Sequence, residues 1–399
     1  MTSPKRHTTL KYSSIVFVTA KLSVKPHLID ATLFFSPTSG GVRRYLLAKH
    51  EWLNQHSKLR HTLFVPGPHD RGGKGGIIEF GSPLLRAGYR CPVRLRALRR
   101  ALTELRPGLL EAADPYLMGW QVAAVARRLQ VPCIAFCHSD IIGLAEHRLG
   151  QVGGTVAARY LRSLYGRFDL VLAPSALVAN RLSDAGIEDV AIQPLGVDPN
   201  IFSPLHRDPH LRARLGLSPD IRLLVFAGRC APEKNVNDLI VMTKLLGKGY
   251  HLLIIGSAPD PVANQYVTRL GYLGSPAALA ATLSACDALV HAGRQETFGL
   301  VALEAMACGL PVIAYAAGAM PELIDSTVGE LAPPTGPLAL ADAVRRAFEK
   351  DTAHSGRLAR ERVLQRYTWD ITLSKQLHHY ARLLHQPLTK TTLNLLPAT

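Results

Sequence analysis

The sequence has no stretch of about 18 uncharged apolar residues, although 47% of its 399 residues are apolar. A membrane-spanning helix needs about 20 such residues, so we expect none. We also expect no secretory signal, because the apolar stretch at residues 15–20 is short and Lys21 follows it at once. We therefore expect a cytoplasmic protein with enough apolar material for two cores of ordinary size.

Cysteine is scarce: there are six, and no two form a C-x-x-C pair. Most lie in apolar segments, which favours buried, reduced thiols. Cys133, Cys137 and His138 could be imagined as metal ligands, but such a site needs a fourth ligand and a fixed loop. An Asp-x-Asp metal motif in a suitable loop is absent as well. We expect no metal site and no cofactor.

Acidic residues are outnumbered, with 30 against 46 lysines and arginines, for a net charge of +16. Such a chain is attracted to polyanions, so nucleic acid, anionic lipid and phosphorylated substrates are open on charge alone. No nucleic-acid motif is found, and the basic residues are not interleaved with stacking aromatics. We therefore expect no nucleic-acid partner.

Residues 86–106 are the segment richest in arginine, with seven arginines and one glutamate. Helical spacing from Val93 onward collects four leucines on one face, with arginines beside and behind it; the leucines are Leu95, Leu98, Leu102 and Leu105. Two interpretations stay open and are compatible. The helix packs on a sheet with a solvated basic face, or that face docks on anionic lipid or on a lipid-phosphate acceptor.

Residues 288–319 carry the densest group of candidate site residues. The pattern predicts a buried strand, a helix from near Thr297 and a second buried strand, which together make one βαβ unit. Glu296 would lie in the loop before the helix and Glu304 inside the helix. The backbone N–H groups between them would be free donors at a helix N-terminus, where anions bind, and they belong to Phe298, Gly299 and Leu300.

Two carboxylates for hydroxyl groups and a cluster of donors for phosphate suit a sugar that is attached to a diphosphate. Taken alone, the pattern also fits two solvated glutamates, because glutamate is common on helices. A second candidate group follows the predicted strand at 222–227, where Gly228 and Arg229 precede Lys234 at a helix start. Guanidinium, ammonium and helix N-terminus together make a diphosphate site. The alternative is a surface Arg229 and a Lys234 paired with Glu233.

The first part of the chain shows two further strand ends. A predicted strand at 28–35 leads to Gly40 and Gly41 and then to a helix at 42–55, which is a nucleotide-fold opening, although Gly-Gly alone is a weak signal. A buried strand at 131–137 delivers His138 and Asp140 at its carboxyl end, where parallel sheets bind ligands.

Two segments, Glu296-Thr-Phe-Gly-Leu-Val-Ala-Leu-Glu304 with the later Pro321-Glu322, and Gly228-Arg229 with Glu233-Lys234-Asn235, resemble glycosyltransferase family 4. The resemblance runs from about residue 28 to residue 384. It implies an α/β chain with the GT-B fold, in which two Rossmann-like parallel-sheet domains face a deep cleft. The implied parts are an acceptor domain at 1–198, a linker at 199–220, a donor domain at 221–370, and a last helix that crosses back, with a tail, at 371–399.

The resemblance also implies roles for single residues. Arg229 and Lys234 would bind the donor diphosphate, Glu296 would hold hydroxyls of the transferred sugar, and Glu304 would hold the ribose. His138 would line the donor-sugar pocket as a fourth catalytic residue. The remaining expected substrate-binding residues are Gly40, Gly41, Asp140, Gly228, Phe298, Gly299 and Leu300. The sequence departs from the family at Leu195, where asparagine often precedes Gly-Val-Asp.

The function implied is retaining transfer of a hexosyl group from GDP-mannose or a UDP-hexose to a lipid-linked or saccharide acceptor. It would need no metal, and the departing phosphate oxygen would take the acceptor proton in a front-face attack. The enzyme would be cytoplasmic, with possible peripheral binding to the inner face of the membrane. Two alternatives stay open: a non-catalytic subunit that binds nucleotide sugars, and a sugar-nucleotide epimerase on the same fold.

Overall fold

The computed structural model describes residues 25–36, 40–86, 88–256 and 265–385. In these ranges the strands are β1 (His27–Ala31), β2 (Arg60–Gly67), β3 (Ile77–Gly81), β4 (Leu84–Arg86), β5 (Tyr89–Arg90), β6 (Leu109–Ala112), β7 (Cys133–Phe136), β8 (Leu170–Ala173), β9 (Val190–Ile192), β10 (Arg222–Ala227), β11 (Tyr250–Ile255), β12 (Val267–Leu270), β13 (Ala288–His291), β14 (Val312–Tyr315) and β15 (Gly329–Ala332).

The helices of the same ranges are α1 (Gly41–His56), α2 (Leu95–Glu104), α3 (Leu117–Leu129), α4 (Ile141–Tyr165), α5 (Ala176–Asp184), α6 (Leu211–Arg214), α7 (Val236–Leu246), α8 (Pro276–Ser284), α9 (Leu300–Ala307), α10 (Met320–Leu323), α11 (Pro337–Glu349), α12 (Thr352–Arg366) and α13 (Trp369–Leu383). Short 3-10 turns occur at Lys74–Gly76, Pro204–His206 and Pro232–Lys234. No helix in the described part of the chain is long and apolar enough to cross a membrane.

Two parallel sheets organise the chain. The first has seven strands in the order β3-β2-β1-β6-β7-β8-β9, and the second has six in the order β12-β11-β10-β13-β14-β15. Their inner strands are mostly apolar and buried, as expected when helices cover both faces of a parallel sheet, although β1 carries Asp30 and β6 carries Glu111. In both sheets the order reverses beside the first strand, and the crevice at such a reversal is where open α/β sheets bind ligands. The predicted architecture is confirmed.

Helices cover the two faces of the first sheet differently. On one face α2, α3 and α4 pack through buried apolar residues such as Leu98, Met118 and Leu161. On the other face α1 and α13 pack together, and the Trp52 indole N–H donates to Asp370 Oδ1 at 2.7 Å. The chain therefore returns to the first sheet after it has built the second.

Buried charges hold this return in place. Lys49 Nζ on α1 lies 2.5 Å from Asp30 Oδ2 and 2.8 Å from Glu111 Oε1. Tyr380 on α13 donates its hydroxyl to Glu111 Oε2 at 2.5 Å. Burial alone would lower the pKa of Lys49, but the two carboxylates raise it above its usual value. The ammonium therefore stays charged, and α13 is bound to the first sheet through Glu111.

The segment predicted as a linker, 199–220, is packed rather than extended. Phe202 and Leu211 are buried, and Arg212 forms a two-pronged pair with Asp287 at 2.7 and 2.8 Å. The segment that returns to the first sheet runs beside the end of the outgoing segment, where the Val197 N–H donates to the Tyr367 carbonyl at 2.8 Å. The domain boundaries at 198, 220 and 370 stay predictions.

Two local predictions were wrong. The strand predicted at 28–35 ends at Ala31, because the chain turns there and the Leu33 N–H donates to the Asp114 carboxylate at 2.6 Å. Asp114 is buried beneath the loop that forms this turn. The helix predicted from Thr297 begins at Leu300, because Gly299 takes a left-handed conformation just before it.

Candidate active site

The carboxyl ends of three strands in the second sheet meet at one edge. Strand β10 ends before Gly228, β13 ends at His291 and β14 ends before the turn at 316–319. The carboxyl edge of the first sheet, with His138 after β7, lies opposite, because Thr297 Oγ1 donates to the His138 carbonyl at 3.1 Å. The two edges therefore form the walls of one cleft.

Glu296 is the centre of the cleft's charge arrangement. Its Oε2 lies 2.5 Å from Lys234 Nζ and 3.2 Å from His291 Nε2. Because His291 Nδ1 accepts a hydrogen bond from the Gly293 N–H at 3.2 Å, the ring proton is assigned to Nε2, the nitrogen nearer the carboxylate. Burial alone would raise the pKa of Glu296, but Lys234 and His291 together hold it well below its usual value. Glu296 is therefore an ionised carboxylate.

A glycine turn fixes the backbone of Glu296. Gly318 has φ of 59°, and a Cβ on it would lie 2.6 Å from the Glu296 carbonyl oxygen. The next amide, Ala319 N–H, donates to that oxygen at 2.8 Å. Any larger residue at Gly318 would push the Glu296 loop away, since real Cβ contacts are not that short.

The N-terminus of α9 is shaped by Gly299. This residue has φ of 94°, and a Cβ on it would lie 2.2 Å from Met320 Cε, so only glycine fits here. Within the described chain the Phe298 and Gly299 amides make no backbone–backbone hydrogen bond. Leu300 opens the helix. These amides precede a helix that starts three residues later than expected, and their role as anion-binding donors stays a prediction.

Glu304 lies one turn into α9 and is buried. Its Oε1 pairs with the Arg44 guanidinium of α1, and its Oε2 has no partner among the described residues. Burial raises the pKa of Glu304, and Arg44 opposes that rise. Gly41, at the start of α1, lies against α9 as well, since a Cβ on it would be 3.4 Å from Leu300 Cδ2.

His138 forms the opposite wall. Its ring stacks on Phe136 with centroids 4.1 Å apart, and the edge of Tyr45 lies 5.2 Å away. Burial lowers the pKa of His138 to about 3, so the ring is neutral near pH 7. Its Nε2 is buried and has no partner in the described chain, which leaves one ring nitrogen available for hydrogen bonding in the cleft.

Other predicted site residues have structural partners. Asp140 caps α4 through the Gly143 N–H at 2.9 Å and pairs with Arg181, so its carboxylate is already engaged. Arg229 is 66% exposed and lies 3.4 Å from Glu233. Lys234 pairs with Glu296 instead of Glu233. The roles assigned to all of the predicted site residues, including Asp140, Arg229, Gly40 and Gly228, stay predictions.

Sequence reasoning missed two cleft residues. His291 is the last residue of β13, so the rule that ligands bind at the carboxyl ends of parallel strands could have found it. Arg44 carried no signal, because an arginine on an amphipathic helix reads as a surface charge.

A further contact joins the two walls. Both oxygens of the Glu322 carboxylate, which precedes Leu323 at the end of α10, accept the first two N–H groups of α5, those of Ala176 and Leu177, each at 2.8 Å. The negative carboxylate meets the positive end of the α5 helix dipole. The sequence flagged Pro321-Glu322 as part of a motif but gave it no role.

The arrangement combines one ionised carboxylate, one ammonium, free amides at a helix start and a neutral histidine across a narrow gap. The ammonium and amides can neutralise a diphosphate, and the carboxylate can accept hydrogen bonds from hydroxyls. Such a cleft can hold an activated sugar at both ends.

Two family profiles match the chain: Glycosyltransferase Family 4 over residues 39–201 and Glycosyl transferases group 1 over residues 221–350. A GDP-mannose-dependent alpha-mannosyltransferase of Mycolicibacterium smegmatis is 36% identical over 284 residues, covering 70% of this chain and 74% of that protein. A GDP-mannose-dependent alpha-(1-6)-phosphatidylinositol dimannoside mannosyltransferase of Mycobacterium tuberculosis is 26% identical and covers 88% of this chain and 94% of its own.

Among solved structures, HepE from Anabaena in complex with UDP and glucose superposes with a TM-score of 0.72 at 20% sequence identity. The match covers 90% of this chain and 100% of that one. At that identity the likeness concerns the fold, and the two-domain arrangement described above is the same.

Proposed function

The chain belongs to glycosyltransferase family 4 and is a hexosyltransferase with the GT-B fold, and we propose that it transfers mannose from GDP-mannose with retention of the anomeric configuration. The choice of GDP-mannose over a UDP-hexose is supported by the relative that is 36% identical and named for that donor. The proposed acceptor is lipid-linked, which is supported by the relative named for phosphatidylinositol dimannoside.

The contact between Lys234 and Glu296 carries this proposal. One residue comes from the loop after β10 and the other from the loop after β13, yet their charged atoms lie 2.5 Å apart. Such a pair can bind the donor across the bond that breaks, with the ammonium on the diphosphate side and the carboxylate on the sugar side.

Charge develops on the diphosphate as the bond between the anomeric carbon and the phosphate oxygen breaks. Lys234, the exposed Arg229 and the amides that precede Leu300 would stabilise this charge where it forms. These groups supply positive charge from the protein itself, which supports the proposal of metal-independent transfer. Glu304 would accept hydrogen bonds from the ribose, and Arg44 lies close enough to orient that carboxylate.

Neither Glu296 nor His138 is suited to act as the general base. Glu296 is ionised but already bound by Lys234 and His291, and His138 is neutral with a lowered pKa. We therefore propose that the donor substrate itself, and not a protein side chain, accepts the proton of the acceptor hydroxyl. The acceptor hydroxyl attacks the anomeric carbon on the face that the diphosphate leaves, and the departing phosphate oxygen takes the hydroxyl proton. Water must be excluded during this step, because it would compete with the acceptor.

Radiolabelled GDP-mannose, purified protein and a lipid extract of the source cell test the function. Label should enter the lipid fraction, and NMR of the product should show the alpha anomer that the donor carries. Glu296→Gln should lower transfer about 100- to 1,000-fold, the range for loss of one group that stabilises the transition state. Glu349→Gln removes an exposed carboxylate at the end of α11 and should leave transfer unchanged.

Transfer by Glu296→Gln at the wild-type rate would refute the site. Release of free mannose with no acceptor product would leave the donor assignment standing but would refute the acceptor class. Conversion of GDP-mannose to another sugar nucleotide would show the epimerase alternative instead.

A further inference from the structure

Helix α4 carries an exposed apolar ridge, which we define as Leu149, Val152, Val156 and Tyr160. These residues are 74%, 76%, 60% and 36% exposed, respectively. Val152, Val156 and Tyr160 follow the break at Gly150, and their spacing places them on one face of the helix, while Gly153, Gly154 and Ala157 are buried. Leu149 lies just before the break. Single exposed apolar residues are ordinary, but a group of four on one short segment marks an interaction surface.

The ridge lies at the cleft edge of the first sheet. At its start, α4 is capped by Asp140, which follows β7 and is two residues from His138. Near its end, the Tyr160 hydroxyl donates to the carbonyl of Pro115, three residues beyond β6, at 2.7 Å. Both anchoring points are at carboxyl ends of strands. The helix backbone breaks at Gly150, where φ is 68°, so the segment between the anchors projects from this edge.

The surface around the ridge is basic. Arg148 and Arg159 on α4 are exposed, and neither joins a salt bridge within the described chain. Residues 90–167 contain twelve arginines and five acidic residues. Of those acidic side chains, Glu111 and Asp114 are buried and so do not offset the surface charge.

Helices α2, α3 and α4 bring further arginines to the same face of the protein. Arg99 on α2 donates to Gln121 on α3 at 2.6 Å, and the Trp120 indole on α3 donates to Tyr160 on α4 at 3.1 Å. The arginine-rich helix α2 offers charge but no free apolar face, because Leu98 and Leu102 are fully buried. The apolar contact that membrane binding needs is therefore supplied by the ridge and not by α2.

We propose that the ridge lies in the interfacial layer of a bilayer that contains anionic phospholipid, with the arginines of α2 and α4 at the headgroups. Aliphatic side chains below the headgroups, a tyrosine at their level and arginines around them are the pattern of interfacial binding. The net positive charge of this face of the protein favours a bilayer with anionic phospholipid over an uncharged bilayer. The inference rests on the proposed function, because a lipid-linked acceptor in that bilayer would reach the cleft beside His138.

Vesicle sedimentation tests the ridge directly. The probe is a vesicle of equal parts phosphatidylcholine and phosphatidylglycerol at low salt, and the variant is Leu149→Ser/Val152→Ser/Val156→Ser. We expect at least a roughly 10-fold loss of vesicle binding, since three aliphatic side chains no longer enter the interface. The control Leu205→Ser/Leu338→Ser alters residues that are 91% and 59% exposed outside α2–α4 and should bind as the wild type does. Circular dichroism confirms that each variant is folded.

Charge is tested with Arg148→Glu/Arg159→Glu, which should also weaken binding to the mixed vesicles and reduce its salt dependence. Equal binding to phosphatidylcholine alone would overturn the anionic part of the proposal. If the ridge variant binds vesicles as well as the wild type does, the ridge is not the membrane-binding surface. The same follows if Leu84→Ser/Leu85→Ser, on the exposed hairpin of β4 and β5, abolishes binding while the ridge variant keeps it.

Light scattering tests whether a second copy of the chain, and not a bilayer, covers the ridge. A wild-type dimer that the ridge variant converts to a monomer would show that the ridge joins two copies of the chain, and the membrane proposal would fail. Calorimetric titration with GDP in the absence of vesicles separates the two proposals: the ridge variant should bind GDP with the wild-type affinity. If the wild type binds no GDP, the proposed function is refuted, whereas vesicle sedimentation still decides whether the ridge binds the membrane.

Discussion

Glu322 offers a direct way to weaken the contact between the two walls of the cleft without touching the donor site. Its two hydrogen bonds of 2.8 Å go to the first two amides of α5 in the other domain. A side-chain cap at a helix N-terminus stabilises by about 0.5–2 kcal/mol, typically about 1 kcal/mol. Glu322→Gln keeps the shape and one acceptor oxygen but removes the charge, so about 1 kcal/mol is lost.

A loss of about 1 kcal/mol corresponds to about a fivefold shift between closed and open arrangements of the domains. We expect kcat/KM for transfer to fall by about that factor, because closure excludes water and completes the site. The affinity for GDP alone should not change, since Glu322 faces α5. Steady-state kinetics and calorimetry measure the two quantities on the same preparation.

Two variants on α5 sharpen this test. Ala176→Pro removes one of the two N–H donors at the first helical position, where proline is tolerated, and Ser175 before it is already extended with ψ of 162°. Combined with Glu322→Gln, it should cost less than the sum of the single changes. Ser175→Ala removes a cap within the same domain and should lower stability without lowering transfer. Wild-type kcat/KM in Glu322→Gln, or strict additivity in the double variant, would refute the reasoning.

Two further predictions concern buried groups in the cleft. Arg44→Ala leaves the buried Glu304 without its ion-pair partner, so urea unfolding should show that the free energy of unfolding falls by about 2–3 kcal/mol. The double variant Arg44→Ala/Glu304→Gln should recover most of that loss. An unchanged free energy of unfolding in Arg44→Ala would contradict a stabilising role for the pair. The pKa of His138 is lowered from 6.5 to about 3, so the unfolded state binds more protons between those values and stability falls as pH drops through that window. From pH 7 to pH 5 this histidine should account for about 2 kcal/mol, and urea unfolding of His138→Asn should show a pH dependence smaller by that amount; the same slope as the wild type would contradict it.

Elements with strong apolar patterns could be predicted from the sequence. Strand β10 matches its predicted bounds of 222–227, because its apolar run is unbroken. Strand β3 and helix α12 were not predicted. Helix α12 buries Gly356, Ala359 and Val363, and such small residues leave almost no hydrophobic pattern to read.

The site was predictable where a motif fixed both residue type and spacing, as for Lys234 and Glu296. It was not predictable where the partner came from a distant part of the chain. Nothing near Arg44 indicates that Glu304, on the other domain, would be its partner. In the same way, only the packing of α10 against α5 shows that Glu322 caps a helix across the cleft. Such pairings depend on how the two domains meet, which local patterns do not encode.

Calorimetric titration of the purified protein with GDP tests the central claim most directly, that a nucleotide diphosphate is held beside Lys234 and Glu296. The account predicts that GDP binds to the wild type more tightly than UDP does. Lys234→Ala, which removes one charge-assisted contact to the diphosphate, should weaken GDP binding about 10-fold or more. Binding of GDP by Lys234→Ala with wild-type affinity, or no nucleotide binding by the wild type, would contradict it.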